Sequence, residues 1–245
     1  MKKRLSVLIC TLVLVLAHAG TGICVDIGGV LGGAKKAIGG SGAALGNEEV
    51  VSGLKEALKV GTGNAVAAVS KPGGYTGNPA IKIPLPGEVK KVEGLLRAAG
   101  YGQQVDDFEL SMNRAAEKAA PQAKSIFVDA VNQMQFDDAQ KILNGPDDSA
   151  TRYFEEKTSG RLKEVFKPIV KDSMNQVGVT RQYQDSSAKA AALPMGDKLG
   201  LDLDQYVTDK GLKGLFRMLA EEERKIRQNP AARTTDLLKK VFGSR

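Results

Sequence analysis

Tryptophan is absent from this 245-residue chain, aromatic residues make up 5%, and histidine and cysteine are nearly missing: His18, Cys10 and Cys24 are all there are. The position of these three residues decides what their scarcity excludes. Lys2, Lys3 and Arg4 precede an apolar run from Leu5 to Ala17, 13 residues long. A membrane-spanning helix needs roughly 20. A shorter run behind a basic start, followed by Ala17-His18-Ala19, has the form of a secretory signal peptide with a small-x-small cleavage site. The sequence therefore predicts a signal peptide over residues 1–19 and an exported, periplasmic product with no transmembrane helix once it is removed.

Cleavage after Ala19 would remove the histidine and one cysteine. Ser-His-Asp and Cys-His catalysis then have no base. Histidine-ligated zinc, copper and iron sites have no ligands. One remaining thiol forms neither an intramolecular disulfide nor a thiolate cluster. No metal and no cofactor is expected. The formal charge of +7 falls to +4 with the loss of three basic residues. That balance permits weak association with an anionic membrane surface without requiring it. Export argues against a nucleic-acid partner. Lipidation at Cys24 would attach the product to a membrane, but the bulky Ile23 stands where a lipoprotein signal wants a small residue.

What the chain has in plenty is glycine, then helical periodicity. Ten glycines fall among the 27 residues from Gly20 to Gly46. That density disfavours helix and strand and reads as a flexible linker over 20–46. From Asn47 the apolar spacing becomes helical: Val50, Leu54, Ala57, Leu58, Gly61 and Ala65 share one face, although Gly61 and Gly63 could equally end the helix there. Lys71–Pro79 reads as a loop. Ile81, Ile83 and Leu85 then alternate with Lys82 and Pro84, predicting a short extended arm against a helical surface with those three side chains inward.

Further stripes predict helices through Val89, Val92, Leu95 and Leu96, closed by Gly100, and through Val105 to Ala119. Pro121 should kink or restart the second of these. Ile126 to Met134 and Phe136 to Leu143 give two more, and Phe154 to Val170 a longer one with a bend at Pro168. Leu212 to Ile226 should form a helix whose outer face carries Glu221–Lys225 and Glu223–Arg227 at i,i+4 spacing, in solvent. Asn229-Pro230 should start a last helix through Leu237, Leu238, Val241 and Phe242. The expectation is an all-α, bundle-like domain of about eight helices over residues 47–245.

The stretches NEEVVSGLKEALKVG (Asn47–Gly61), NPAIKIPLP (Asn78–Pro86), ELSMNRAAEKAAPQAK (Glu109–Lys124), LNGPDD (Leu143–Asp148) and NPAARTTDLLKKVF (Asn229–Phe242) resemble an exported bacterial family catalogued as domain of unknown function 4197. The resemblance implies a single helical domain in a Gram-negative envelope. It implies no activity.

Carboxylates are the remaining acid-base candidates. Asp106-Asp107, Asp137-Asp138 and Asp147-Asp148 lie at or near predicted helix starts, where capping and dipole compensation account for them. Asp202-Leu203-Asp204 lacks the Gly-turn and terminal Glu of a calcium loop. Two polar corners are the candidate binding sites. One holds Asp147 and Asp148; the other holds Arg233, Thr234, Thr235 and Asp236. Helix amides and an arginine at such corners can hold an anion, or the same groups can fix how helices cross. No catalytic residue is assigned. The sequence points to a non-catalytic binding or scaffold module of the envelope, its partner a protein or a lipid. A carrier of an apolar ligand or lipid between helices is the alternative, and a carboxylate-based hydrolase the third reading.

Overall fold

Each apolar stripe predicted within the described residues forms a helix. The computed structural model describes residues 47–176 and 202–229. Seven α-helices are present there: α1 (Asn47–Ser70), α2 (Gly87–Ala98), α3 (Gly102–Ala119), α4 (Ala123–Gln133), α5 (Phe136–Asn144), α6 (Ser149–Asn175) and α7 (Leu203–Gln228). A 3₁₀ turn at Ala120–Gln122 joins α3 to α4, so Pro121 bends one rod instead of ending it. Counted as rods there are six among the described residues, fewer than the eight or so expected. The helix expected after Asn229 lies outside the described residues, as do the signal peptide and the Gly-rich linker.

The possible break at Gly61 and Gly63 is missing, and the helix through Pro168 is continuous. α1 runs unbroken through Gly61 and Gly63. Gly61 faces α7, where a Cβ would lie 3.4 Å from Ile226 Cδ1, in ordinary van der Waals contact. α6 continues through Pro168. This proline sits on the exposed side, where the carbonyl it cannot pair with faces solvent instead of the core.

α6 packs along α7 and α3, and α1 along α7 and α4. Phe127 of α4 meets Phe154 of α6 edge-on at 5.1 Å between ring centres and lies 6.1 Å from Phe216 of α7. All three rings are buried. Such aromatic contacts add about 0.5–1.5 kcal/mol per pair to the burial itself.

The arm behaves as its alternation predicted. Ile81, Ile83 and Leu85 are buried, while Lys82 and Pro84 face outward. It forms no strand, so its backbone groups need other partners. Asn113 of α3 supplies two: its Oδ1 accepts from the Ile83 N–H at 2.9 Å, and its Nδ2 donates to the Ile83 carbonyl at 2.9 Å. The Tyr206 hydroxyl donates to the Pro84 carbonyl at 3.0 Å. At the loop before the arm, buried Glu117 accepts from the Tyr75 N–H at 3.1 Å and pairs with Arg114 at 2.6 Å. The Tyr75 hydroxyl reaches the Gly211 carbonyl at 2.6 Å. Gly214 makes room for this ring, since a Cβ there would stand 2.7 Å from Tyr75 Cε1.

α2 departs from expectation. Val89 and Leu96 pack against the core, but Val92 and Leu95 are exposed and no residue of this helix is buried. Val89, Glu93 and Leu96 recur at four and three residues and turn toward the body; Val92 and Leu95 lie off that line. Arg97 pairs with Glu93 within α2 (3.0 Å) and ties the helix to Asp106 of α3 (2.7 Å). Gly100, at φ +90°, closes the helix as predicted.

Burial, and secondarily the charge of Glu117, pushes the Tyr75 hydroxyl well above the ordinary tyrosine range. The unfolded chain ionises the same group near pH 10. Its contribution to stability is complete below that pH and is lost as pH rises toward the folded-state value. Tyr75→Phe should therefore lower stability by about 0.5–1.5 kcal/mol at neutral pH, through loss of the hydroxyl–carbonyl bond. It should also flatten the fall in stability above about pH 10, measured by urea melts across pH.

Candidate functional site

The α5–α6 corner and the end of α7 meet in one polar junction. The Gln228 amide donates to Asp147 at 2.8 Å, and Arg227 donates to the Ile142 carbonyl at 2.7 Å. The first predicted corner thus lies against the residues that lead into the second. Arg233, Thr234, Thr235 and Asp236 lie outside the described residues, as does Cys24.

Asp148 takes the N-cap position of α6 but makes no side-chain cap bond. Its φ of −118° and ψ of 14° are not the extended geometry that aims a capping side chain at the following amides. It pairs instead with Arg152 at 2.9 Å. The capping role predicted for Asp147-Asp148 is therefore corrected. Asp106 and Asp107 also fall past the first turn of α3 and bond Arg97 and Gln103. Asp138 does cap, accepting from the Gln135 N–H at 3.1 Å in a reciprocal capping box. Asp202 caps α7, accepting from the Gln205 N–H at 2.9 Å, and pairs with Lys167 at 3.0 Å.

The group that caps α6 comes from another helix. Glu223 of α7 accepts from the Ala150 N–H (2.9 Å), the Thr151 N–H (2.9 Å) and the Thr151 hydroxyl (2.9 Å). Arg227, one turn on, closes the other side of the same carboxylate through Nε (3.1 Å) and Nη2 (2.9 Å). The side chains are 6% and 11% exposed. Predicted as a solvated i,i+4 pair, Glu223 and Arg227 are an internal network. Half-buried Glu222 accepts from exposed Asn64 of α1 at 3.4 Å, and Lys225 pairs with Glu222 at 2.6 Å rather than with Glu221.

Chemically the junction is already satisfied. The amides that would hold an external anion hold Glu223, whose negative charge sits at the positive end of the α6 dipole. An apolar cavity of about 20 Å³ adjoins it, lined by Leu54, Ala57, Leu58, Ile142, Leu219 and Ile226 among others. That is room for about one water molecule. Among the described residues no group of three or more His, Cys, Asp or Glu is placed to hold a metal ion, Asp202 and Asp204 included.

Spacing carried a signal for Glu223. Leu212, Leu215, Phe216, Leu219 and Ile226 form the buried stripe of α7, and position 223 falls between Leu219 and Ile226 on the same face. A carboxylate inside an apolar stripe needs a buried donor. The partner helix start lies 72 residues away, and no local pattern identifies it.

Removing Glu223 leaves two helix amides without their acceptor and strips Arg227 of its carboxylate partner, leaving it the Ile142 carbonyl. Glu223→Ala should cost about 3–5 kcal/mol, and Asp148→Ala at most about 1 kcal/mol because its pair is exposed. Denaturant midpoints of the purified protein compare the two directly. Equal, small losses would remove the junction from the framework of the fold.

No curated protein and no solved structure matches this chain. One family profile does, across residues 44–243, from just before α1 and through both polar corners. With that match covering most of its length, the chain belongs to the family described as protein of unknown function, DUF4197.

Proposed function

We propose that this chain is an exported, periplasmic binding or scaffold module of the bacterial envelope, without catalytic activity, that engages a protein partner through the α2–α3 hairpin. The observation that carries this reading is the distribution of exposed apolar surface. Among the described residues five large apolar side chains are exposed, and four of them, Val92, Leu95, Tyr101 and Leu110, belong to α2, α3 or the turn between them. Leu95 is 73% exposed. Elsewhere among the described residues Phe136 is the one exposed large apolar side chain. A helix that is amphipathic yet buries no residue is poorly explained by the stability of its own domain.

The carrier alternative needs a few hundred Å³ of mainly apolar space between helices; the apolar cavity beside Glu223 offers about 20 Å³, and the groove of about 550 Å³ between α1 and Phe136 lies open at the surface. The hydrolase reading requires two carboxylates converging on a cleft. Asp147, Asp148 and Glu223 each hold a partner of their own. Among the described residues no helix is long and apolar enough to cross a membrane. Export rests on the basic start, the apolar run and Ala17-His18-Ala19, and attachment through Cys24 is the lesser route because of Ile23.

In-cell cross-linking followed by capture tests the proposal, comparing the parent with Leu95→Asp. The parent should yield one cross-linked protein species, and Leu95→Asp should lose it while melting like the parent, because the side chain is already in solvent. The captured chain should have a mass beginning at Gly20. Capture that is insensitive to Leu95→Asp would discard the hairpin as the binding surface. A mass retaining residues 1–19 would discard signal cleavage, and an acylated start at Cys24 would replace it with lipid attachment.

A further inference from the structure

α2 is the described helix least attached to the body. None of its residues is buried, and half-buried Val89 and Leu96 are its apolar contacts with the core. Every other described helix buries several side chains. The chain is anchored on both sides of α2: Leu85 and Pro86 are buried before it, Val105 and Phe108 after it.

Its polar ties to the rest of the domain are equally few. The pairs Lys90–Glu93 (2.7 Å) and Glu93–Arg97 (3.0 Å) lie within α2 and hold no other element. Arg97 alone reaches α3, at Asp106 (2.7 Å) and at the Gly102 carbonyl (3.5 Å). The Arg97 and Asp106 side chains are 40% and 59% exposed, and an ion pair in solvent holds two elements together only weakly.

The helix is also weak in itself. No side chain caps its first turn, so the leading amides have no protein acceptor from that source. Gly94 stands near its centre, where glycine disfavours helix. With 12 residues and no buried face, it has neither the length nor the packing that ordinarily keeps a helix formed.

Weak attachment and weak intrinsic stability thus fall on the same residues. From them we infer that α2 is a lid that opens as one unit, melting between the fixed points Pro86 and Val105 while the rest of the domain stays folded. Opening carries Val89 and Leu96 into solvent beside Val92 and Leu95. The apolar surface that the hairpin offers is therefore larger in the open form than in the closed one. The Arg97–Asp106 pair is the latch that sets the balance. The motion belongs to the free protein and requires no partner.

Native-state hydrogen exchange of the full chain, resolved by residue, tests this. The interior amides of α2, from Val92 to Ala98, should share one protection factor, at least about a hundredfold below that of the buried stripe of α3. Two variants shift the balance in opposite directions. A Cβ at Gly94 meets no atom within 4 Å, so Gly94→Ala should slow exchange of all these amides together, about fivefold. Asp106→Asn lies outside α2 and removes the latch; it should speed their exchange about threefold. Neither should alter exchange in the cores of α6 and α7. Protection of α2 equal to that of α3, or exchange graded inward from the ends of α2, would overturn the inference, and so would an unmoved rate in either variant.

Discussion

Glu223 is the interaction on which the arrangement of helices depends. It is a carboxylate in the apolar stripe of α7, and a buried charge is costly unless paired and hydrogen-bonded. Its bonds reach Ala150, Thr151 and, one turn on, Arg227. Through Arg227 the network reaches the Ile142 carbonyl at the end of α5. One side chain therefore fixes where α6 begins, where α5 ends and how α7 passes both. It also answers the chemical question raised by the polar corner. Amides engaged by an internal carboxylate have no remaining capacity for a ligand.

The arm follows a similar logic. Its apolar side chains supply burial, while its backbone gains partners one at a time from side chains of α3 and α7. Asn113 imitates a neighbouring strand at Ile83, and Tyr206 takes the Pro84 carbonyl. Prolines at positions 84 and 86 remove two donors that would otherwise need acceptors. With the corner and the arm both internally satisfied, the functional question moves to the surface, where the α2–α3 hairpin carries apolar side chains that the domain itself does not cover.

Periodicity made most of the fold legible. The stripes of α1, α3, α6 and α7 and the alternation of Ile81, Ile83 and Leu85 each named side chains that are buried. Local rules failed where a distant partner decided the outcome. Adjacent acids at 147 and 148 resembled a cap, yet the cap came from Glu223. Glu223 and Arg227 resembled a surface pair because i,i+4 spacing is equally compatible with a buried one. Val92 and Leu95 resembled core because an apolar residue on a short helix carries no mark of whether anything covers it. The candidate site was thus legible as a place, the corner at Asp147 and Asp148, but not as an assignment of its working groups.

Native-state hydrogen exchange at the start of α6 tests the central claim most directly. The first amides of a helix ordinarily lack intrahelical partners. Those of Ala150 and Thr151 are held by Glu223, and the account predicts that they exchange only through global unfolding, with the protection of the α6 core. Exchange of these two amides at the rate of an unprotected helix start would contradict it.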